Sequence, residues 1–281
     1  MFEGLVTVVT GGGSGIGKAL CEQLAQRGAK VAVADLFAQA AQATADAIGN
    51  DARAYACDVS DRAQVDSLAA NVLRDFGTLN LAFANAGVAI GGKIMDTDPR
   101  EFQWLFDVNV GGVFNSIQAF VPLLIAAAEK GQTSRFICTG SENSVGLPLT
   151  APSSAYTATK HAVLGLTDAL RRDLADTGVG VSIFCPGVVA TRVWDARRSR
   201  QDRYGGASAM PADYAAHAEK AMAQFGMPPD RTAQLTIEGV ERGDFLIITD
   251  PRIRQITTPR EQAINAALDA CETRLAQLEK Q

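Results

Sequence analysis

Tyr156 and Lys160 stand four residues apart in a stretch with helical periodicity, so one turn of helix brings both side chains to one face. A phenol titrates near ~10 unaided, which makes it too weak a base at neutral pH. An ammonium group one turn away favours the phenolate and moves that value down. Such a pair could give a proton to a developing alkoxide or take one from an alcohol. Standing alone, Tyr-x-x-x-Lys would more often be an amphipathic helix with a snorkelling lysine. The company it keeps therefore matters.

Near the N-terminus, an apolar strand pattern runs directly into Thr10-Gly11-Gly12-Gly13-Ser14-Gly15-Ile16-Gly17, and a helical pattern follows at once. Glycines permit the tight turn and let the backbone approach a pyrophosphate, while the helix N-terminus offers free N–H groups to it. A glycine-rich run is weak evidence by itself; its place between the first strand and first helix makes it stronger. Asp35 closes the second strand pattern, where a carboxylate can accept from ribose hydroxyls and repel a 2′-phosphate. Leu36 follows it, so no arginine stands there to receive that phosphate. Ser14 brings no charge to the loop, and Lys18 is expected to face solvent. NAD is the expected cofactor rather than NADP.

The elements that must position these groups follow from hydrophobic patterning. Strands are expected at Leu5–Val9, Lys30–Ala34, Arg53–Cys57, Leu79–Ala84, Arg135–Thr139, Val179–Cys185 and Phe245–Thr249. They read as continuous apolar runs, as strands covered on both faces do. Between them, Ile16, Leu20 and Leu24 recur at helical spacing, as do Val163, Leu166, Leu170 and Leu174, with Gly28 and Gly178 where helices should end. This alternation predicts an α/β Rossmann fold, a doubly wound seven-stranded parallel sheet with helices on both faces. No linker divides residues 1–281, which read as a single domain.

Two segments break the rhythm. Residues 192–229 carry Arg192, Arg197, Arg198, Arg200 and Arg203, then Gly205-Gly206 and Pro228-Pro229, with room for one or two short helices. Residues 259–281 form a helical tail in which Ile264, Leu268, Cys271, Leu275 and Leu278 alternate at spacings of four and three. That seam could pack on its own domain or against another subunit.

Composition removes several function classes. The net charge of −5 comes with no basic stripe, so nucleic acid is not an expected partner. No apolar run in the sequence reaches membrane-spanning length, and the start lacks the features of an export signal. The five cysteines, Cys21, Cys57, Cys138, Cys185 and Cys271, are scattered singly, which suits a reducing cytoplasmic setting and small-hydrophobe roles. His161 and His217 lack metal-ligand spacing, so no metal is expected.

Taken in order, the glycine loop, Cys57-Asp58-Val59-Ser60-Asp61, Asn85-Ala86-Gly87, Val108-Asn109-Val110-Gly111-Gly112, Tyr156-Thr157-Ala158-Thr159-Lys160 and Pro186-Gly187-Val188-Val189-Ala190-Thr191 resemble the short-chain dehydrogenase/reductase family. The resemblance covers about residues 4–192 and the last strand. It implies that Asp58 and Val59 contact adenine, with the Asp58 carboxylate accepting from the exocyclic amine. Asn85, Ala86 and Gly87 would line the middle of the dinucleotide, and Val189 and Thr191, past Pro186 and Gly187, would bind the carboxamide. Lys160 would reach the nicotinamide ribose, and Asn109 would complete a proton relay. All these positions follow strand C-terminal ends, where open parallel sheets bind ligands.

A serine just beyond the strand Arg135–Thr139 would hold the substrate oxygen against Tyr156. Ser141 matches when counted from the strand, Ser144 fits better counted back from the tyrosine, and Asn143 holds the remaining slot. Ser141 is favoured because strand ends fix geometry more firmly than loop length. The activity implied is NAD-dependent interconversion of a secondary alcohol and a ketone. A non-catalytic dinucleotide-binding sensor or scaffold is the alternative, and an enoyl reductase or epimerase a third. The arginine-rich segment takes the position of a substrate lid, either as a solvated face or as a clamp for an anionic substrate, with Trp194 and Tyr204 as apolar contacts. The family is commonly oligomeric, so a homotetramer or dimer is expected.

Overall fold

The computed structural model describes residues 2–49, 52–148 and 152–279. Seven parallel strands run β1 (Val6–Thr10), β2 (Lys30–Asp35), β3 (Ala52–Ala56), β4 (Leu81–Ala84), β5 (Arg135–Thr139), β6 (Gly180–Cys185) and β7 (Leu246–Ile248). They form one sheet in the order β3-β2-β1-β4-β5-β6-β7. Each expected strand is present within about two residues of its expected bounds. The period-two geometry sends Val6 and Val8 to one face and Val9 to the other, and all three are buried.

On the first face pack α3 (Arg62–Phe76), α4 (Pro99–Phe106), α5 (Gly112–Ala128) and α7 (Ser154–Asp173). On the second pack α1 (Gly15–Gln26), α2 (Ala38–Ile48) and α9 (Pro229–Arg242). Short α6 (Glu142–Val145) follows β5, α8 (Ala212–Phe225) lies in the arginine-rich excursion formed by residues 192–229, and α10 (Arg254–Leu278) ends the described chain. Gly28 and Gly178 adopt φ of +87° and +77° past α1 and α7, where a side chain would be strained.

One sequence expectation is corrected here. The continuous helical run Pro99–Ala128 is long and apolar enough to cross a membrane by length and composition. Polar Asp107, Asn109 and Asn115 broke up its apolar pattern in the sequence, but its Trp104, Leu105, Phe120 and Leu124 are fully buried in the core. The apolar seam of α10 does not pack on its own domain: Ile264, Leu268, Leu275 and Leu278 are all more than half exposed, and Cys271 is exposed too. The other four cysteines are buried.

Growth of the sheet reverses between β1 and β4, so the C-terminal ends of those strands flank a crevice. Asn85 ties it together. Its Nδ2 donates to Thr10 O at 2.8 Å, and its Oδ1 accepts from Thr139 Oγ1 at 3.1 Å, joining the ends of β1, β4 and β5.

Candidate active site

The glycine loop is built for close backbone approach. A Cβ on Gly17 would lie 2.1 Å from Gly11 O, and one on Gly11 3.0 Å from Ala86 Cα. Gly11 and Gly15 have φ of +66° and +54°, and Thr191 Cγ2 sits 3.1 Å from where a Gly15 Cβ would be. The loop and the Pro186–Thr191 turn thus close on each other at the start of α1. Ile16 packs on the core beneath. Asp35 accepts from Gly13 N and Phe37 N, both at 3.0 Å, so its carboxylate also holds the loop in shape. Leu36 is exposed beside it. Lys18 faces solvent, with its ammonium 3.7 Å from Glu22.

Tyr156 and Lys160 lie one turn apart on α7, with the Lys160 ammonium 5.7 Å from the phenol ring centre. Lys160 is buried, and its Nζ donates to Thr139 O, the last carbonyl of β5, at 2.8 Å. Gly87 leaves room above it: a Cβ there would lie 3.3 Å from Asn109 Oδ1 and 3.6 Å from Lys160 Nζ. Burial lowers Lys160 to about 8. Burial also pushes Tyr156 up to about 12, and the bond from the Ser141 side chain only partly offsets this. The sequence led us to expect a phenol lowered by its lysine. In the protein alone, burial raises it instead, and the nearby Glu142 adds to the rise.

The two serines have different tasks. Ser141 caps α6, with its Oγ accepting from Asn143 N at 3.2 Å and also bonding the Tyr156 phenol. Ser144 Oγ turns back to accept from Ser141 N at 3.1 Å and also bonds Cys185. Thus Ser141 faces the tyrosine and Ser144 supports the loop. Asn143 Nδ2 donates to Ser153 Oγ at 3.3 Å, linking this loop to the start of α7.

Asn109 sits in a π-helical turn, Asp107–Gly111, between α4 and α5. Its Oδ1 accepts from Val88 N at 2.8 Å, and its Nδ2 donates to Val88 O at 2.9 Å and Thr159 Oγ1 at 3.0 Å. Both Nδ2 hydrogens and one Oδ1 acceptor position are thus spent on neighbouring groups, which fixes the chain after Gly87.

The excursion yields a site the sequence did not reveal. Asp58 Oδ1 accepts from the backbone N–H and hydroxyl of Ser60. Its Oδ2 accepts from Gln201 Nε2 and Arg203 Nη2, both at 2.9 Å. A carboxylate offers about four acceptor positions, and all are taken. In the protein alone, the carboxylate that the resemblance offers to an adenine amine is held by Gln201 and Arg203. Val59 is buried against Gly112, with its carbonyl accepting from Asn115 Nδ2 at 2.9 Å.

The remaining arginines also have protein partners. Arg197 and Arg200 both bond buried Glu101, Arg192 pairs with Asp195 at 2.6 Å, and Arg198 donates to the carbonyls of Arg192 and Asp195. Tyr204 is buried and donates to Asp107 Oδ2 at 2.7 Å. These charges anchor the segment to α4 and the end of β3, which favours anchoring over an anion clamp. At its base, Ala190 N donates to Met227 O and Met227 N to Val188 O, both at 2.9 Å, which positions Val189. Pro186 O accepts from Glu142 N at 2.7 Å, and Gly187 leaves room for Asp250.

The profile of the short chain dehydrogenases matches residues 5–202. A C alpha-dehydrogenase of Sphingobium sp. (strain NBRC 103272 / SYK-6) is 31% identical over 267 residues, covering 94% of this chain and 86% of that protein. A 2,5-dichloro-2,5-cyclohexadiene-1,4-diol dehydrogenase of Sphingobium indicum is 36% identical over 192 residues, covering 68% of this chain and 74% of its own. The crystal structure of a short chain dehydrogenase/reductase from Burkholderia phymatum in complex with NAD superposes with a TM-score of 0.85 at 32% identity, covering 95% of this chain and 96% of the other. With a matched core that includes every strand through β6 and the Tyr156–Lys160 turn, this chain belongs to the short chain dehydrogenase family.

Proposed function

We propose that this protein is an NAD-dependent oxidoreductase that interconverts a secondary alcohol and a ketone. The observation that carries the reading is one cluster: Ser141 bonded to the Tyr156 phenol, with Lys160 buried beneath them on the carbonyl that ends β5. Two relatives named as dehydrogenases, one of them of a diol, support an alcohol substrate.

The residues of the crevice fit a dinucleotide. Gly11, Ser14, Gly15, Ile16 and Gly17 would hold the pyrophosphate, Asp35 and Leu36 the adenosine ribose, and Asp58 and Val59 the adenine end. Asn85, Ala86 and Gly87 would line its middle, with Pro186, Gly187, Val189 and Thr191 at the carboxamide. The physical support for this fit is the tight loop itself: a Cβ on Gly17 would collide with Gly11 O, so only glycine lets the loop fold onto the start of α1, whose free N–H groups suit a pyrophosphate. The hydride is exchanged with the nicotinamide of bound NAD.

Tyr156 passes the proton. In oxidation its phenolate takes the hydroxyl proton as the carbonyl forms, and in reduction the phenol protonates the alkoxide. Burial holds the phenol protonated in the protein alone, so positive charge gathered near it is what lowers the barrier to release. Lys160 supplies part of that charge and would hold the nicotinamide ribose. Ser141 donates to the substrate oxygen and aims it at Tyr156. Asn109 fixes Val88, the residue after Gly87, and the π-turn backbone would hold a water for the relay to solvent. Residues 192–229 act as a lid over a single domain spanning 1–281, and the active form is a homo-oligomer.

The test is to incubate the protein with NAD and a panel of secondary alcohols while following NADH absorbance. NADH should appear with at least one class of alcohol, and NADP should serve far less well because Asp35 repels its 2′-phosphate. NAD binding with no turnover across the panel, in both directions, would favour the non-catalytic sensor.

A further inference from the structure

α10 leaves the body of the protein within its first turns. Ile253 is buried, and the backbone at Ile256 rests against Gly146, where a Cβ would lie 2.6 Å from Ile256 O. From Pro259 to Glu279 every described residue is exposed. An isolated helix in water gains little from its own hydrogen bonds and takes its stability from a packed apolar face. α10 has such a face and nothing on it. Ile264, Leu268, Leu275 and Leu278 are 53, 57, 56 and 65% exposed, with exposed Cys271 at the middle of the row.

The spacing says what kind of surface fits. Steps of four and three average 3.5 residues, which keeps a narrow seam facing a second helix as the two wrap around each other. A helix lying on a globular body shows a broader stripe at 3.6. With Leu268 and Leu275 in the a positions, Ile264, Cys271 and Leu278 take d. The flanking g positions are then Ala267 and Arg274, and the e positions are Asn265, Glu272 and Glu279.

Charge selects the partner and its direction. In a parallel, in-register pair, each g side chain meets the e side chain of the next heptad across the seam. Arg274 then faces the partner's Glu279, and by symmetry the pair forms twice. An antiparallel pair matches e with e and g with g, which brings together no opposite charges. A membrane surface is a poor match, because Ile264–Glu279 carries Asp269, Glu272 and Glu279 against the single base Arg274, the wrong sign for anionic lipid.

We propose that the α10 seam is a parallel coiled-coil interface between two copies of this chain. It shares no residue with the catalytic cluster, so it stands or falls independently of the reaction. Its test uses the full chain: light scattering for assembly mass, and mild thiol oxidation by diamide followed by a non-reducing gel. The parallel register sets Cys271 against the partner's Cys271, and the other four cysteines are buried. We expect a covalent dimer that disappears in Cys271→Ser. The exposed-site double variant Leu268→Glu/Leu275→Glu should halve the assembly mass and lose the cross-link while keeping its circular dichroism. A monomeric wild type, an unchanged mass in the double variant, or no Cys271-dependent cross-link would overturn the proposal.

Discussion

Arg203 donates from Nη2 to Asp58 Oδ2 at 2.9 Å and joins the arginine-rich segment to the end of β3, the strand at the sheet edge. With Gln201 and Ser60 it fills the acceptor positions of a carboxylate proposed to meet the adenine. If the adenine amine uses this carboxylate as proposed, cofactor and lid compete for Asp58. Arg203→Ala should tighten NADH binding by about fivefold or less, the scale of a half-exposed ion pair. Titration calorimetry measures this, and weaker binding in the variant would rule out competition.

Glu101 is the second anchor, buried and shared by Arg197 and Arg200. Removing its charge leaves two guanidinium groups near each other with no carboxylate between them, a costly state where they are partly desolvated. Glu101→Gln should loosen residues 192–205. Trypsin should then cut at the segment's arginines several times faster, with cleavage elsewhere unchanged. Equal rates of cleavage would mean that the segment is held by other contacts.

Lys160 carries a stability cost that depends on pH. Its folded value, about 8, lies below the ordinary lysine value of 10.5. Below pH 8 the folded protein must bury the charged form, at a cost on the order of 3 kcal/mol. The cost shrinks as pH rises from 8 to 10.5, because the folded state has already released the proton that the unfolded state still holds. Lys160→Met should therefore melt higher than the wild type at pH 7 in the absence of cofactor, and the gap should close towards pH 10. The same variant should lose activity by about two orders of magnitude or more. A gap that widens with pH would contradict the assignment.

Much of this was legible in the chain. Apolar runs marked β1, β2, β4, β5 and β6 because burial on both faces leaves no alternation to confuse them, whereas the edge strands β3 and β7 are partly exposed. Thr10 to Gly17 and Tyr156 to Lys160 were readable because each is a local pattern on one turn or one loop. Other features were hidden because they depend on distant partners. Nothing in Arg203 announces that it will reach Asp58, and Asp58 reads as an open adenine contact until Gln201 and Arg203 are seen on it. The widened turn at Asn109 was hinted at by Gly111-Gly112, but its side-chain bonds to Val88 needed the fold. The depressed Lys160 and raised Tyr156 arise from desolvation, which no spacing rule reports.

The serine assignment can be separated by two variants. Ser141 bonds the Tyr156 phenol, whereas Ser144 Oγ supports the Ser141 backbone and bonds Cys185. Ser141→Ala should lower kcat by about 10²-fold with little change in melting temperature, the scale of a lost oxyanion donor. Ser144→Ala should cost stability, roughly 1 kcal/mol for a lost cap bond, and leave most of the turnover. The reverse pattern of rates would exchange their roles.

The most direct test of the proton-transfer account is Tyr156→Phe, which deletes one hydroxyl and leaves the ring in place. NADH formation from any alcohol that the wild type oxidises should fall by at least about three orders of magnitude, with the NADH dissociation constant within about twofold of wild type. A variant that still turns over within tenfold of wild type would show that another group moves the proton.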